Sequence, residues 1–215
     1  MAERRSAEER RAQLLDAALG LITRKGFAAV TLRDVAAEVG VMHGLLRHYF
    51  PSRGALLAAA FDRAATEELD ELRARDLADP LAELAEVCRG TDEQHYLLWV
   101  DAWAEAPRDP ELARTLVHHH RECEAHTLRA VRAGIRRGLL DCPDPAAAAR
   151  ALTALVDGLA VQLHALHVID RAEHDRLALA GAEALLGLPA GTLAGRGDPT
   201  AHTPTAYTPT AHPQT

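Results

Sequence analysis

The chain has 215 residues, 48% hydrophobic but only 4% aromatic, with a net charge of −7 at pH 7. That length supports one or two domains with real cores, and a composition dominated by Ala, Leu, Arg and Glu, without β-branched runs, argues against a sheet and for an all-α fold. Cys88, Cys123 and Cys142 lack CxxC spacing, which excludes a disulfide framework and a zinc knuckle; the polar start MAERRSAEERR has no apolar signal-peptide core, and no apolar run approaches the roughly 20 residues that span a bilayer, so a cytoplasmic protein without a membrane partner is expected.

From about Ala7 to Lys25 the apolar positions Leu14, Ala18, Leu21 and Ile22 recur at helical spacing, and Gly26 ends the helix. Phe27 and Val30 fall in the connection that follows and are expected to plug a core. Thr31 then offers an N-cap with Asp34 three residues on, opening a second helix with Leu32, Val35, Ala36 and Val39 on one face. Gly40 tolerates a left-handed backbone, so a sharp turn there leads into a third helix whose Val41, Leu46 and Phe50 pack back on the second. Left outward are His43, Gly44, Arg47 and His48, donor-rich and slim enough for a major groove. This is the pattern of a helix-turn-helix.

The charge supports that reading once it is divided along the chain. Residues 1 to 53 hold nine Arg and Lys against six Asp and Glu, a balance of +3, which leaves −10 for the remainder. An acidic remainder discourages nonspecific adhesion to nucleic acid and leaves the local basic patch to act. Residues 1 to 8, with Arg4 and Arg5, read either as an arm reaching along DNA or as a disordered terminus.

After Pro51 and Ser52 a connecting helix is expected to about Arg75, with Leu56, Leu57, Ala60, Phe61, Ala64, Leu69 and Leu72 inward. Asp79-Pro80 starts a short helix to about Arg89, closed by Gly90. The next segment carries Tyr96, Trp99 and Trp103 on one face, up to Pro107. Aromatics beside carboxylates suit an amine or quaternary ammonium ligand, so these three are candidate pocket residues, with His95, Asp101, Glu105 or His119 as polar contacts and Cys123 nearby; the alternative is that both Trp residues fill core. A long helix from Pro110 to about Leu140 buries Leu112, Leu116, Val117, Leu128, Val131 and Ile135.

Two further helices follow, from Asp144-Pro145 and from Ala172 to Leu188. The first is apolar on two sides, Ala148, Leu152, Leu155, Leu159 and Leu163 on one and Ala151, Ala154, Val161 and Leu166 on the other. Such a helix needs two partners, its own domain and a second copy of the chain, so Leu152, Leu155, Leu159, Leu163 and Leu166 are candidate homodimer residues. Residues 191–215 read as a disordered tail, with a five-residue unit repeated three times over 199 to 213; His202, Tyr207 and His212 there are conceivable metal or partner ligands.

His119, Cys123 and His126 stand at i, i+4 and i+7, with His164 and His167 as another pair, and define a metal-responsive alternative; solvent-facing or structural histidines are the plainer reading. No Ser/His/Asp arrangement, glycine-rich phosphate loop or HExxH is present, so neither catalysis nor a cofactor is expected.

The stretch RKGFAAVTLRDVAAEVGVMHGLLRHYFPSRGALL resembles the DNA-binding domain of the TetR family of bacterial repressors over residues 10 to 60. The Gly-Phe before Thr, the Val-Ala-x-x-x-Gly-Val core and the His-Tyr-Phe-Pro-Ser-Arg exit fall at the family's spacing. The resemblance implies about nine helices, a DNA-binding domain over 1–53 and a ligand-binding and dimerisation domain over 54–190. It implies base contacts from Arg33, His43, Gly44 and Arg47, and phosphate contacts from Thr31, His48, Tyr49 and Arg53. The phrases LVDGLAVQ and WVDAWAEAPRDPEL further resemble the betaine-regulator branch. Met42 departs from the usual capping Ser or Thr, so a helix start without a side-chain cap is expected; Leu45 stands where Thr is common and is expected to pack inward rather than touch a thymine methyl. The function implied is that of a dimeric repressor on a near-palindromic operator, released by a small molecule of unknown identity.

Overall fold

The computed structural model describes residues 6–74, 78–90 and 93–196, the side chains of residues 71 and 72 excepted. Among these are nine α-helices and no strand: α1 (Ala7–Lys25), α2 (Leu32–Val39), α3 (His43–Tyr49), α4 (Arg53–Ala74), α5 (Pro80–Arg89), α6 (Glu93–Glu105), α7 (Pro110–Arg136), α8 (Pro145–Ala160) and α9 (Arg171–Leu186). The start of the polar arm and the repeat from residue 199, with His202, Tyr207 and His212, lie outside the described residues. The chain divides into two compact units, one reaching to Glu68 and including Leu98–His119, the other comprising Leu69–Leu97 and the chain from His120. A boundary at residue 53 therefore does not coincide with a break in packing.

The first unit is built on α1 to α3, and its helix ends follow from local chemistry. Ser6 and Glu9 form a capping box at the start of α1, and Thr31 and Asp34 form another at α2. Phe27 and Val30 are fully buried with Leu14, Ala18, Val35, Leu46, Leu56, Leu57 and Phe61, so the connection does plug the core, and Trp99, Ala102, Leu112 and Leu116 extend that core. Residues 53–68 of α4 belong here, because Leu56, Leu57, Ala60, Phe61, Ala64 and Ala65 share the core with α1 to α3.

Polar groups of the connection are held by side chains from elsewhere in the unit. The Phe27 N–H donates to Asp101 at 2.6 Å. Arg53 donates through Nε to the Val30 carbonyl at 2.8 Å, through one terminal nitrogen to Glu105 at 2.9 Å and through the other to the Phe27 carbonyl. Asp109 lies 3.9 Å from the same guanidinium and also caps α7 through the N–H groups of Glu111 and Leu112. Gly54 makes room for this acidic cluster: a Cβ there would stand 2.5 Å from Glu111 and 2.7 Å from Asp109. The Ser52 hydroxyl donates to Glu111 at 2.5 Å.

In the second unit α5, α8 and α9 bury Leu81, Leu84, Ala85, Cys88, Leu152, Leu159, Ala178, Ala182 and Leu186 around Val131 of α7. Several expectations change here. α7 stops at Arg136 instead of Leu140, because Gly138 turns left-handed at φ 67° and the Leu139 N–H folds back to the Gly134 carbonyl. Val117, expected in the buried stripe of α7, is 49% exposed. Leu193 is fully buried, and the Glu183 carboxylate accepts the Gly191 and Leu193 N–H groups at 2.9 and 2.7 Å, so the tail does not begin at residue 191 but after this packed turn.

Leu152 and Leu159 lie inside this unit's own core and cannot face a second copy; Leu155 and Leu163 are half-buried, and only Leu166, 60% exposed, is free to do so. α8 passes into a π-helical turn at Val161–Ala165. Together Pro145–Ala165 make 21 residues of mean hydropathy 1.3, long and apolar enough by length and composition to cross a bilayer, contrary to the expectation that no such run exists. Only 28% of that stretch is buried, which leaves an outward apolar face.

The fork of Arg53 provides a test of how the connection is held. Arg53→Lys keeps the charge but not the three-way geometry, and because hydrogen bonds to charged groups are worth roughly 1.5–3 kcal/mol, urea denaturation is expected to show a loss of about 2 kcal/mol. A Lys variant as stable as the parent would mean that charge alone matters at this position.

Candidate nucleic-acid interface and effector site

The turn between α2 and α3 is set by Gly40, which is left-handed at φ 70° and ψ 33°. The Val41 N–H returns to the Ala36 carbonyl at 2.9 Å and the Gly40 N–H to the Ala37 carbonyl at 3.1 Å, the paired bonds of a Schellman end. Ala36, buried at the crossing, has no side chain beyond Cβ to hold the helices apart. Leu46 and Phe50 then point into the core and fix which side of α3 faces out.

That outer side carries most of the residues expected at DNA. Thr31, Arg33, Gly44, Arg47 and His48 are exposed, while His43 and Tyr49 are half-buried, with the His48 and Tyr49 rings edge to face at 5.6 Å. Arg33 and Arg47 make no ion pair or hydrogen bond among the described residues, so their guanidinium groups are uncommitted. Hydrogen bonds from the Thr31 hydroxyl and N–H hold the Asp34 carboxyl below its ordinary range, which keeps the α2 cap ionised. Arg53 differs from its expected role: its donors are engaged by internal acceptors, as described above, which makes it a buckle of the domain rather than a free phosphate ligand. Met42 caps α3 without a side-chain hydrogen bond, as expected. Leu45, expected to pack inward, is 39% exposed.

Gly44 has no heavy atom within 4 Å of where a Cβ would stand, so no internal packing requires glycine there. A helix pays conformational entropy for such a residue.

The residues expected to line a ligand pocket divide between the units. In the first, Trp99 is 8% exposed, donates from its indole to Glu68 at 3.1 Å and meets Phe61 edge to face at 4.9 Å. Trp103 lies 5.8 Å from Trp99 between ring centroids, and His119, 1% exposed, pairs with Asp62 at 2.9 Å. Asp101 and Glu105, considered as polar ligand contacts, are spent on Phe27 and Arg53. The second unit holds His95, Tyr96 and Cys123. Tyr96 is buried, donates its hydroxyl to the Asp157 carbonyl at 2.5 Å and lies 5.5 Å from the His164 ring. Desolvation pushes its phenol up, with Asp157 adding to the shift.

Asp157 is the residue that sequence reasoning passed over. Its carboxylate accepts no hydrogen bond among the described residues, and burial raises it from 3.8 to about 6, with the charge of His120 opposing. Desolvation beside Tyr96 makes an unneutralised anion there costly. The signal was present as a lone carboxylate in the otherwise apolar run LVDGLAV.

The helical register that aligns His119, Cys123 and His126 does not make a chelate. His119 turns to Asp62, while His126, 3% exposed, pairs with Glu83 at 2.7 Å. No group of three or more His, Cys, Asp or Glu converges for a metal among the described residues.

A short basic helix presented by a Schellman turn on a three-helix core defines a helix-turn-helix DNA-binding protein. Residues 14–60 match the family described as bacterial regulatory proteins, tetR family, and residues 81–187 match the BetI-type transcriptional repressor C-terminal family. The HTH-type transcriptional regulator BetI of Stenotrophomonas maltophilia (strain R551-3) is 31% identical over 160 residues, covering 70% of this chain and 79% of its own. That of Rhizobium meliloti (strain 1021) is 30% identical over 161 residues, covering 71% and 77%. Among solved structures, a TetR transcription regulator from Haloarcula marismortui ATCC 43049 superposes with TM-score 0.69 at 18% identity over 84% of this chain and 97% of that one. A transcriptional regulator from Saccharomonospora viridis in complex with choline gives TM-score 0.65 at 24% identity over 80% and 94%. The chain belongs to the TetR family: it is a DNA-binding transcriptional regulator and not an enzyme.

Two outcomes test the site. Gly44→Ala is expected to raise thermal stability by roughly 0.5–1 kcal/mol while weakening specific DNA binding by about 1–3 kcal/mol, the worth of one reading contact; calorimetry and fluorescence anisotropy measure the two. For Asp157, the folded protein holds the proton more tightly than the unfolded chain. Below pH 3.8 both states keep it; stability falls as pH rises toward about 6, and above that the whole cost of the buried charge is present. Asp157→Asn is therefore expected to gain roughly 1–3 kcal/mol at pH 7.5, the gain shrinking toward pH 4.

Proposed function

We propose that this protein is a dimeric repressor acting in the cytoplasm, which holds a near-palindromic operator with two α3 helices in successive major grooves and releases it when a small cation binds near Asp157. The observation that carries the reading is the uncommitted basic face of α3 and α2. Arg47 and Arg33 are suited to guanine O6 and N7, His43 and Gly44 lie beside them, and Thr31, His48 and Tyr49 suit phosphate oxygens. Arg53 frames these residues from within.

A second copy is supported by exposed small and apolar residues of α8, α9 and their connection: Ala154 and Gly158 on α8, Leu166 and Val168 in the connection at 60% and 64%, and Leu185 on α9 at 40%. In this reading that face meets its own copy about a two-fold axis, as a near-palindromic operator with half-sites about 34 Å apart requires.

For the effector, the half-buried, desolvated Asp157 carboxylate with Tyr96 and His164 supports an amine or quaternary ammonium, held by charge and by cation–π attraction. The choline in the Saccharomonospora viridis regulator is chemistry of the same kind. His95 and Cys123 remain candidates for the same site, and Trp99, Trp103 and His119 belong to the packing of the first unit. Because coupling is reciprocal, operator DNA weakens effector binding by the factor with which effector weakens DNA binding.

Enrichment of duplexes from a random-sequence library, followed by titration with choline in the presence and absence of the enriched site, tests this reading. Arg47→Ala is expected to lose discrimination at one position per half-site, roughly 1–3 kcal/mol. An Arg47→Ala protein with unchanged sequence preference would move base reading to another residue.

A further inference from the structure

Two apolar side chains stand in water on the face marked by the basic residues, and nothing inside the protein accounts for them. Met42, the N-cap of α3, is 82% exposed, and Leu45 is 39% exposed. The Leu45 N–H donates to the Met42 carbonyl at 2.9 Å, which places the two a single turn apart. Between them lies Gly44, whose bare backbone leaves room for close approach. Leu46 next door is fully buried, so turning α3 to hide Leu45 would expose Leu46 instead. The apolar pair is therefore locked outward by the core.

In a major groove, phosphates are charged and base edges present donors and acceptors; the one apolar group among them is the thymine 5-methyl. We infer that Met42 and Leu45 are specificity residues that read thymine methyl groups, so that each operator half-site carries thymines beside the base pairs contacted by His43 and Arg47. This rests on the DNA-binding reading given above. Exposed Gly44, Arg47 and His48 on the same helix favour duplex DNA as the occupant of this apolar surface, because a protein partner would have to desolvate Arg47 and His48 as well.

The experiment uses the full chain to enrich duplexes from a random library and then replaces each thymine of the enriched site with deoxyuridine, which removes the methyl and keeps every hydrogen-bonding group. At one or two positions per half-site the affinity is expected to fall about fourfold per methyl, the size of burying one such group. The penalty at one position should vanish in Leu45→Ala and at the other in Met42→Ala, the latter with an unchanged melting temperature because Met42 is 82% exposed, and Leu45→Ala should keep its affinity for the site once that position carries deoxyuridine. An enriched site indifferent to every deoxyuridine, or one whose methyl sensitivity survives in both variants, overturns the assignment while leaving DNA binding intact. Failure to enrich any sequence overturns both.

Discussion

The loop between α1 and α2 is held on its amide side by Asp101 and on its carbonyl side by Arg53, and the first unit depends on that double grip. Without it, the buried connection would leave polar backbone groups unpaired in a core of Phe27, Val30 and Phe61, at a cost of the order of 1–3 kcal/mol for each group. With it, α2 starts at one position and in one direction, and the Schellman turn at Gly40 passes that direction on to α3. The orientation of the reading face is thus decided at some distance from any base.

The same grip gives α6 a second task. Asp101 and Glu105 hold the connection and Arg53, while Tyr96 lies earlier on the same helix. Three acidic residues from outside the first 53, Glu105, Asp109 and Glu111, gather around Arg53, Ser52 and Gly54.

Local pattern carried a great deal. Capping boxes, turn glycines and apolar periodicity located all nine helices, most of their ends and the outward face of α3, because each is decided by residues within a few positions of one another. The misreadings share a different cause. The family resemblance implied a phosphate contact for Arg53, yet its partners Phe27, Val30 and Glu105 come from distant parts of the chain. Leu152 and Leu159 matched a dimer face because periodicity shows that a helix side is apolar and not what covers it. Leu45 differs from Leu46 only by which of two leucines the core admits.

The amino-acid order by itself determined the family, the all-α class and the position of the basic reading helix, because those rest on short-range spacing. The fold alone decided which charges are free to meet DNA and which are consumed internally. It also singled out Asp157 as a carboxylate without a hydrogen-bond partner among the described residues and kept Met42 and Leu45 outward, since burial and pairing are properties of residues brought together from far apart in the chain.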